Sequence, residues 1–383
     1  MTKILLLTAG YGEGHNTAAR ALEAAFNEHS PAPVAEVVDV FALRAPQLNR
    51  LSRRAYLGLI NRAPRIWAGV YRWLDRSPHA PQAFRALASH KRLLARLIAG
   101  HQPDAIVSTY PVYPWLLREL RRDGRLACPH FTVVTDALTI NSLWFRAPSD
   151  GWFVTDEDSA RLMHAAGVPP QKINVSGFPV ARAFADRPDH WQPPEPFLGG
   201  PKRILFIINS GRPRALATAR ALLRCENWHI TFTTGRDETL RSEIAALARG
   251  APASSEVLGW TDRIPELLMT HHVAISKAGG ATTQESISAL CPLLVNQIVP
   301  GQEEGNYELL RRAGAGALTE TPHAVVATLH AAFEHDARLW LQWRANLRRL
   351  ARPDAARDIA KRVLRPAANY SAFPVPAITR KTA

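Results

Sequence analysis

The feature that most limits what this 383-residue chain can become is a repeated alternation of two short patterns. An apolar run of strand length ends in a polar or glycine-bearing turn, and a segment of helical period follows. In the first half, residues 3–9 read as a buried strand, 15–28 as a helix and 34–40 as a strand. After a basic helical region come strand 105–108, helix 113–122, strands 130–135 and 151–155, and a helix capped near Asp156 or Asp158 and running to His164. Apolar strands between amphipathic helices predict a parallel sheet covered on both faces. The alternation breaks at 187–201, where Pro188, Pro193, Pro194, Pro196 and Pro201, with Gly199 and Gly200, continue neither a helix nor a central strand. It then resumes with strand 203–209, helix 214–224, strand 229–234, helix 238–249 and strands 256–258, 273–276 and 293–298. Helices are expected over 282–290, 303–313 and 324–335, and on to about 350.

The expected architecture is α/β, with two Rossmann-like, doubly wound domains facing a central cleft. The first spans 1–186, a linker covers 187–201, and the second spans 202–350. Residues 351–383 are expected to be a helix end and a disordered tail, because 366–383 has no periodicity. Ligands bind at the carboxyl ends of parallel strands, so the loops that follow strands in both domains can face one cleft.

Two of those loops carry most of the chemistry. Ser276-Lys277-Ala278-Gly279-Gly280-Ala281-Thr282-Thr283-Gln284-Glu285 follows a strand and opens a helix. Glycines at 279 and 280 let the backbone approach a ligand, and the helix start offers unpaired N–H groups that suit a diphosphate. Ala281 and Thr282 add an amide and a hydroxyl, Glu285 can accept bonds from ribose hydroxyls, and Lys277 can neutralise a leaving diphosphate or simply be exposed. The second loop, Pro300-Gly301-Gln302-Glu303-Glu304-Gly305-Asn306, has the same layout. Gln302 and Glu303 can read sugar hydroxyls, and Asn306 can do so or cap the helix. Acids at 303 and 304 also suit a helix first turn on electrostatic grounds alone. Together the two loops can hold both halves of a nucleotide-sugar.

These segments resemble the donor region of the GT-B glycosyltransferases, in the family that holds MurG and the monogalactosyldiacylglycerol synthases. The N-terminal stretch ILLLTAGYGEGHNTAARAL resembles the first strand, glycine-rich loop and His of the galactolipid synthase group, and FTVVTDALTINSLWF resembles its Thr-Asp landmark. The landmarks run in the family's order from about residue 3 to about residue 345. The resemblance implies that His15, after Gly12, Glu13 and Gly14, handles the acceptor and removes its hydroxyl proton. Asp136 is a second candidate base, or the partner that holds His15 in a useful tautomer, or only a turn former. Tyr110 and Pro111 end another strand and are candidates for the acceptor pocket. Gly259 and Trp260 stand where relatives contact uracil. Two loops depart from the pattern. Relatives usually carry Gly where this chain has Glu13, and several glycines where it has Asn209-Ser210-Gly211-Arg212-Pro213. There Ser210 can still bond a phosphate, and Arg212 can replace glycine amides by direct charge.

The resemblance further implies an inverting, metal-independent transfer with no cofactor. The donor would be UDP-galactose or UDP-glucose, and the acceptor diacylglycerol or another membrane lipid. Three alternatives stay open: a polyprenyl-linked acceptor, an isomerase like the UDP-N-acetylglucosamine 2-epimerases, and a non-catalytic binder of nucleotide-sugars.

Charge adds a location. The net charge is +14, and residues 41–100 hold twelve basic side chains against one acid, Asp75. Arg53, Arg54, Arg62, Arg65, Trp67, Arg72 and Trp73 mix basic and aromatic groups at helical spacing, which suits an anionic membrane surface as well as a solvated arginine-rich face. No nucleic-acid module is visible, and no nucleic-acid partner is expected. No apolar run approaches the ~20 residues a membrane span needs, and the N-terminus reads as a strand rather than a signal peptide. Cys128, Cys225 and Cys291 form neither a metal pattern nor a disulfide framework. The expected location is cytoplasmic, peripheral on the inner face of the membrane.

Overall fold

The computed structural model describes residues 2–365 except 30–32, 48, 53, 54, 56, 57, 59–62, 78, 79, 210 and 302. It contains two six-stranded sheets, parallel at every pairing. The first has the order β2-β1-β3-β4-β5-β6. Its strands are β1 (Lys3–Leu7), β2 (Val34–Val38), β3 (Ala105–Ser108), β4 (His130–Val133), β5 (Gly151–Val154) and β6 (Ile173–Val175). The second has the order β12-β11-β10-β7-β8-β9. It is built from β7 (Lys202–Ile207), β8 (Trp228–Thr233), β9 (Ser254–Leu258), β10 (Val273–Lys277), β11 (Leu293–Gln297) and β12 (Gly316–Leu318).

The two-residue period of β1 shows why both sheets are buried. Ile4 and Leu6 point to one face, with Phe26, Phe131 and Phe153, while Leu5 and Leu7 point to the other, with Phe41, Tyr113 and Leu117. The strand order reverses beside β1 and β3 in the first sheet and beside β7 and β10 in the second. Ligand sites form at such reversals, because neighbouring loops diverge there and leave a crevice. The edge strands β6 and β12 had no counterpart in the pattern reading. Each has three residues, and most of them are only half-buried, too short a run to stand out from its flanks.

The chain after residue 350 differs from the expectation of a helix end. Ala355–Val363 is a separate amphipathic helix that returns to the first domain and packs on helix Glu13–Asn27. Its buried residues Ala355, Ala356, Ile359, Ala360 and Val363 form one helical stripe. Arg357 fastens the return, bonding Glu28 at 2.7 Å and Asp186 at 2.6 Å. Ile359 is fully buried between the helix and the first sheet. Ile359→Ala should therefore cost about 2–5 kcal/mol in a denaturant titration; a loss below ~0.5 kcal/mol would mean the helix is not docked in solution. Before it, helix Pro322–Leu350 breaks at Glu334–Ala337, where His335, Asp336 and Ala337 take positive φ. Residues 187–201 hold no helix or strand, and the Pro194 carbonyl accepts a bond from His272 Nε2 at 2.9 Å. Among the described residues, no helix is long and apolar enough to cross a membrane.

Candidate active site

His15 is the third residue of helix Glu13–Asn27, and Asp136 lies just beyond β4. Both side chains reach the same small space. Thr135 Oγ1 lies 3.0 Å from His15 Nδ1, and the imidazole sits between the Tyr110 and Trp144 rings, with centroids at 5.1 and 5.9 Å. Burial lowers the His15 pKa to about 4, a bond between the imidazole and the Thr109 backbone opposing only part of the shift. The ring is therefore neutral at physiological pH and a weak base. Asp136 moves the other way. Burial raises its pKa to about 6, against a bond from Trp144 that favours the charged form. The Trp144 indole donates to Asp136 Oδ2 at 2.8 Å. A carboxylate poised near 6 is the stronger proton acceptor at neutral pH.

Glu13 is largely exposed and pairs with Arg20 at 3.7 Å. Tyr110 stacks on Tyr11 with centroids 6.0 Å apart, beside a half-buried Pro111.

On the donor side, Gly279 leads into helix Gly280–Ala289, whose first amides lie at the end of β10. Glu285 sits on that helix with no hydrogen bond to its carboxylate among the described residues. Burial raises its pKa to about 7, and only the Arg20 charge opposes this. It is a half-buried acceptor with capacity to spare. Thr282 is half-buried in the first turn. Lys277 and Glu303 are not separate ligand readers in this state. Lys277 Nζ bonds Glu303 Oε1 at 2.5 Å, and Glu303 Oε2 accepts the Val299 N–H at 3.0 Å. The Glu303 carboxylate nonetheless borders Gly279. Asn306 is turned inward, donating to the Ala278 carbonyl at 2.9 Å and so tying the two donor loops together.

Arg212 is held by Glu243 in a two-bond pair, so its charge is already neutralised by a carboxylate. Asn209 instead braces the end of β10, bonding Ser276 Oγ and the Lys277 N–H. Trp260, beside Gly259, is 66% exposed, with the Arg236 guanidinium 5.9 Å from its ring centre. Ser210 and Gln302 lie outside the described residues. The Asp156-Glu157-Asp158 triplet is spent on a helix start: Asp156 caps Ser159, and Asp158 pairs with Arg161 and Arg312.

The two halves meet through glycine. A Cβ on Gly280 would lie 3.2 Å from the Thr135 carbonyl, and one on Gly305 only 2.0 Å from the Ala137 carbonyl. Gly14 faces the Ala281 amide, 3.8 Å from where its Cβ would stand. Two helix starts thus converge beside His15 and Asp136. Gly305, Thr135, Trp144 and Tyr71 had no assigned role from sequence, although the first three lie inside the quoted motifs; no local pattern shows which backbone they will touch.

Within the basic segment, Arg53, Arg54 and Arg62 lie outside the described residues. Helix Pro64–Arg76 includes the backbone of Arg65, exposed Arg72 and Trp73, and half-buried Trp67. Arg44, Arg92 and Arg96 line a surface pocket of about 390 Å³, and none has a carboxylate partner among the described residues.

Comparison with known proteins agrees with this geometry. Residues 15–180 match the monogalactosyldiacylglycerol (MGDG) synthase family model. A processive diacylglycerol beta-glucosyltransferase of Bacillus cereus (strain AH187) is 26% identical over 374 residues, covering 94% of this chain and 93% of the relative. Among solved structures, Acinetobacter baumannii MurG superposes with a TM-score of 0.62 at 15% identity, covering 95% of this chain and 99% of that one. Staphylococcus aureus MnaA bound to UDP gives a TM-score of 0.62 at 13% identity, covering 95% and 96%. Two parallel sheets joined through a glycine-lined cleft, with these motifs at their strand ends and these likenesses, support a GT-B glycolipid synthase similar to MurG and the monogalactosyldiacylglycerol synthases.

Proposed function

We infer that this chain transfers a hexosyl group from a UDP-sugar to the free hydroxyl of diacylglycerol at an anionic membrane surface, with inversion at the anomeric carbon. The observation that carries the reading is the meeting of Asp136 with the donor helix across the Thr135–Gly280 contact. Asp136 takes the acceptor hydroxyl proton. The acceptor oxygen bonds to the anomeric carbon as that carbon's bond to the β-phosphate oxygen breaks, and UDP leaves with the electron pair. Neutral His15 orients the acceptor. The amides of Gly280, Ala281 and Thr282 stabilise the charge that develops on UDP, and Glu285 accepts from the ribose.

The acceptor class is supported by the curated relative's name, and the donor class by the UDP-bound structural neighbour. The full-length relative is a glucosyltransferase, whereas the family model over the first domain is that of a galactolipid synthase. UDP-glucose is therefore assayed beside UDP-galactose. Exposed Ile66, Val70 and Trp73 and the pocket lined by Arg44, Arg92 and Arg96 support peripheral attachment to an anionic leaflet.

The test is turnover of each donor with diacylglycerol in vesicles that contain anionic lipid, and with the same vesicles lacking diacylglycerol. Diacylglycerol-dependent glycolipid from one donor is the expected result. Donor turnover without any acceptor would favour an isomerase. UDP binding with no product from either donor would overturn the proposed reaction.

A further inference from the structure

A groove of about 580 Å³ lies between helix Pro64–Arg76 and the Pro300–Gly301 turn of the second donor loop. Its size falls among small-ligand sites, roughly 300–1,000 Å³. Four elements give it apolar walls. Ala68 comes from the helix, Ile140 from the loop that leaves Asp136, Leu162 from helix Glu157–Ala165 and Pro300 from the donor loop. The Tyr71 ring packs on Gly301, where φ is +84° and a Cβ would lie 3.2 Å from Tyr71 Cδ1. Thr139 also lines the groove, three residues after Asp136, and its Oγ1 would stand 2.6 Å from a Cβ on Gly305 where the two domains meet. The groove therefore borders the loop of the candidate base and a donor loop at once. On the same helix, Ile66, Val70 and Trp73 are 62%, 38% and 53% exposed, at spacings of four and three that align them on one stripe.

The charge of the lining runs against that of the protein. The chain carries +14. Arg44, Arg92 and Arg96 line one pocket, and Arg72 and Arg76 line another beside Trp73. In the groove, Arg72 is the one cation among the described residues, against Asp75 and Glu304. Neither carboxylate has an ion-pair partner among the described residues. Asp75 is also fixed in place: its Oδ1 accepts the Ser142 N–H at 2.7 Å, and its carbonyl accepts from Ser142 Oγ at 2.6 Å.

We propose that this groove is the acceptor-lipid site, that it takes the glycerol, the esters and the first methylenes of an uncharged diacyl lipid, and that Asp75 and Glu304 keep anionic phospholipids out of it. The proposal rests on the reading of diacylglycerol as acceptor and deepens it. The apolar walls cover the methylenes, and the Arg72 guanidinium and the Thr139 hydroxyl are donors for ester carbonyls, which can only accept. A phosphate group in the same place would set its charge beside two carboxylates and one cation. Such repulsion discriminates between lipids that share the same acyl chains, which apolar fit alone does not. The discrimination is needed because the exposed stripe and the arginine-lined pockets draw the protein to a leaflet rich in anionic lipid. A site open to those lipids would be filled by molecules other than the acceptor.

Two measurements on the full chain test this. The first is photolabelling in vesicles of phosphatidylcholine and phosphatidylglycerol, with diacylglycerol or phosphatidic acid carrying a diazirine near the start of one acyl chain. In the wild type, the diacylglycerol probe should label 139–141, 162 and 300–304 as well as the helix 64–76, and the phosphatidic acid probe the helix alone. Glu304 is exposed, so Glu304→Lys reverses the net charge of the lining without disturbing packing. In that variant the phosphatidic acid probe should reach 139–141 and 300–304. Equal labelling of the groove by both probes in the wild type, or an unchanged preference in the variant, overturns the charge selection. Diacylglycerol labelling confined to 64–76, or absent everywhere, overturns the site. The second measurement is kinetic. Leu162→Trp narrows the groove at a position that is 37% exposed. It should raise KM for diacylglycerol roughly 10-fold and leave KM for the UDP-sugar as in the wild type. An acceptor KM that is unchanged, or that rises together with the donor KM, overturns the site. The labelling needs no turnover, so a wild-type enzyme that makes no glycolipid would refute the proposed reaction, and the labelling pattern would still decide what the groove holds.

Discussion

Asp136→Asn is expected to lower kcat for sugar transfer by about 10²–10⁴-fold, the usual contribution of a positioned general base. The amide keeps the size and can still accept the Trp144 indole bond, so UDP binding should change little. The wild-type profile carries a second signature. Because burial raises this carboxyl to about 6, the base is protonated below that pH, and kcat should fall as pH drops through about 6. His15, lowered to about 4, stays neutral across that range and sets no limb there. A stability check separates chemistry from misfolding. The raised pKa means that the folded state disfavours the charged carboxylate. This penalty is full above about 6 and vanishes below the ordinary carboxylate range, so Asp136→Asn should be at least as stable as wild type at pH 7–8. If the variant retained full activity, or if the wild-type rate were flat through pH 6, Asp136 would not be the base.

The second large effect is expected from Gly305→Ala. The new methyl would stand 2.0 Å from the Ala137 carbonyl oxygen and 2.6 Å from Thr139 Oγ1. Neither partner is the free end of a long side chain, so the domains must separate or the loop must shift. A displacement near 1 Å between base and donor costs on the order of 100-fold in rate. Gly305 is a helical residue without positive φ, so Ala is acceptable to the local backbone and each domain should fold normally. The expected pattern is a kcat loss of roughly 100-fold or more, retained UDP binding, and a larger radius of gyration by small-angle scattering. Unchanged kcat would show that the reaction does not require this contact.

The arrangement of strands and helices was legible because each element leaves a periodic trace. The strands of both sheet centres, the proline break and both donor loops follow from alternation and turn chemistry. What escaped had weak local signal. β6 and β12 are three residues each, and Ala355–Val363 has its apolar stripe but no local sign that it returns to the first domain. Candidate site residues were legible by type and place after a strand, yet their partners were not. Arg212 and Lys277 read as available cations, whereas Glu243 and Glu303 already hold them. His15 read as a stronger base than Asp136 because a carboxylate needs burial to be a useful base near neutrality; burial of both side chains reverses that order.

The division has a physical cause. Hydrophobic period, glycine and proline act over a few residues, so they settle the strand–helix alternation, the break between halves and the loops that carry chemistry. Burial, charge pairing and backbone approach depend on residues far apart in the chain. Only the folded molecule could place Gly305 under the Ala137 carbonyl and the Tyr71 ring over Gly301, or remove enough water from Asp136 to bring its proton affinity near neutrality.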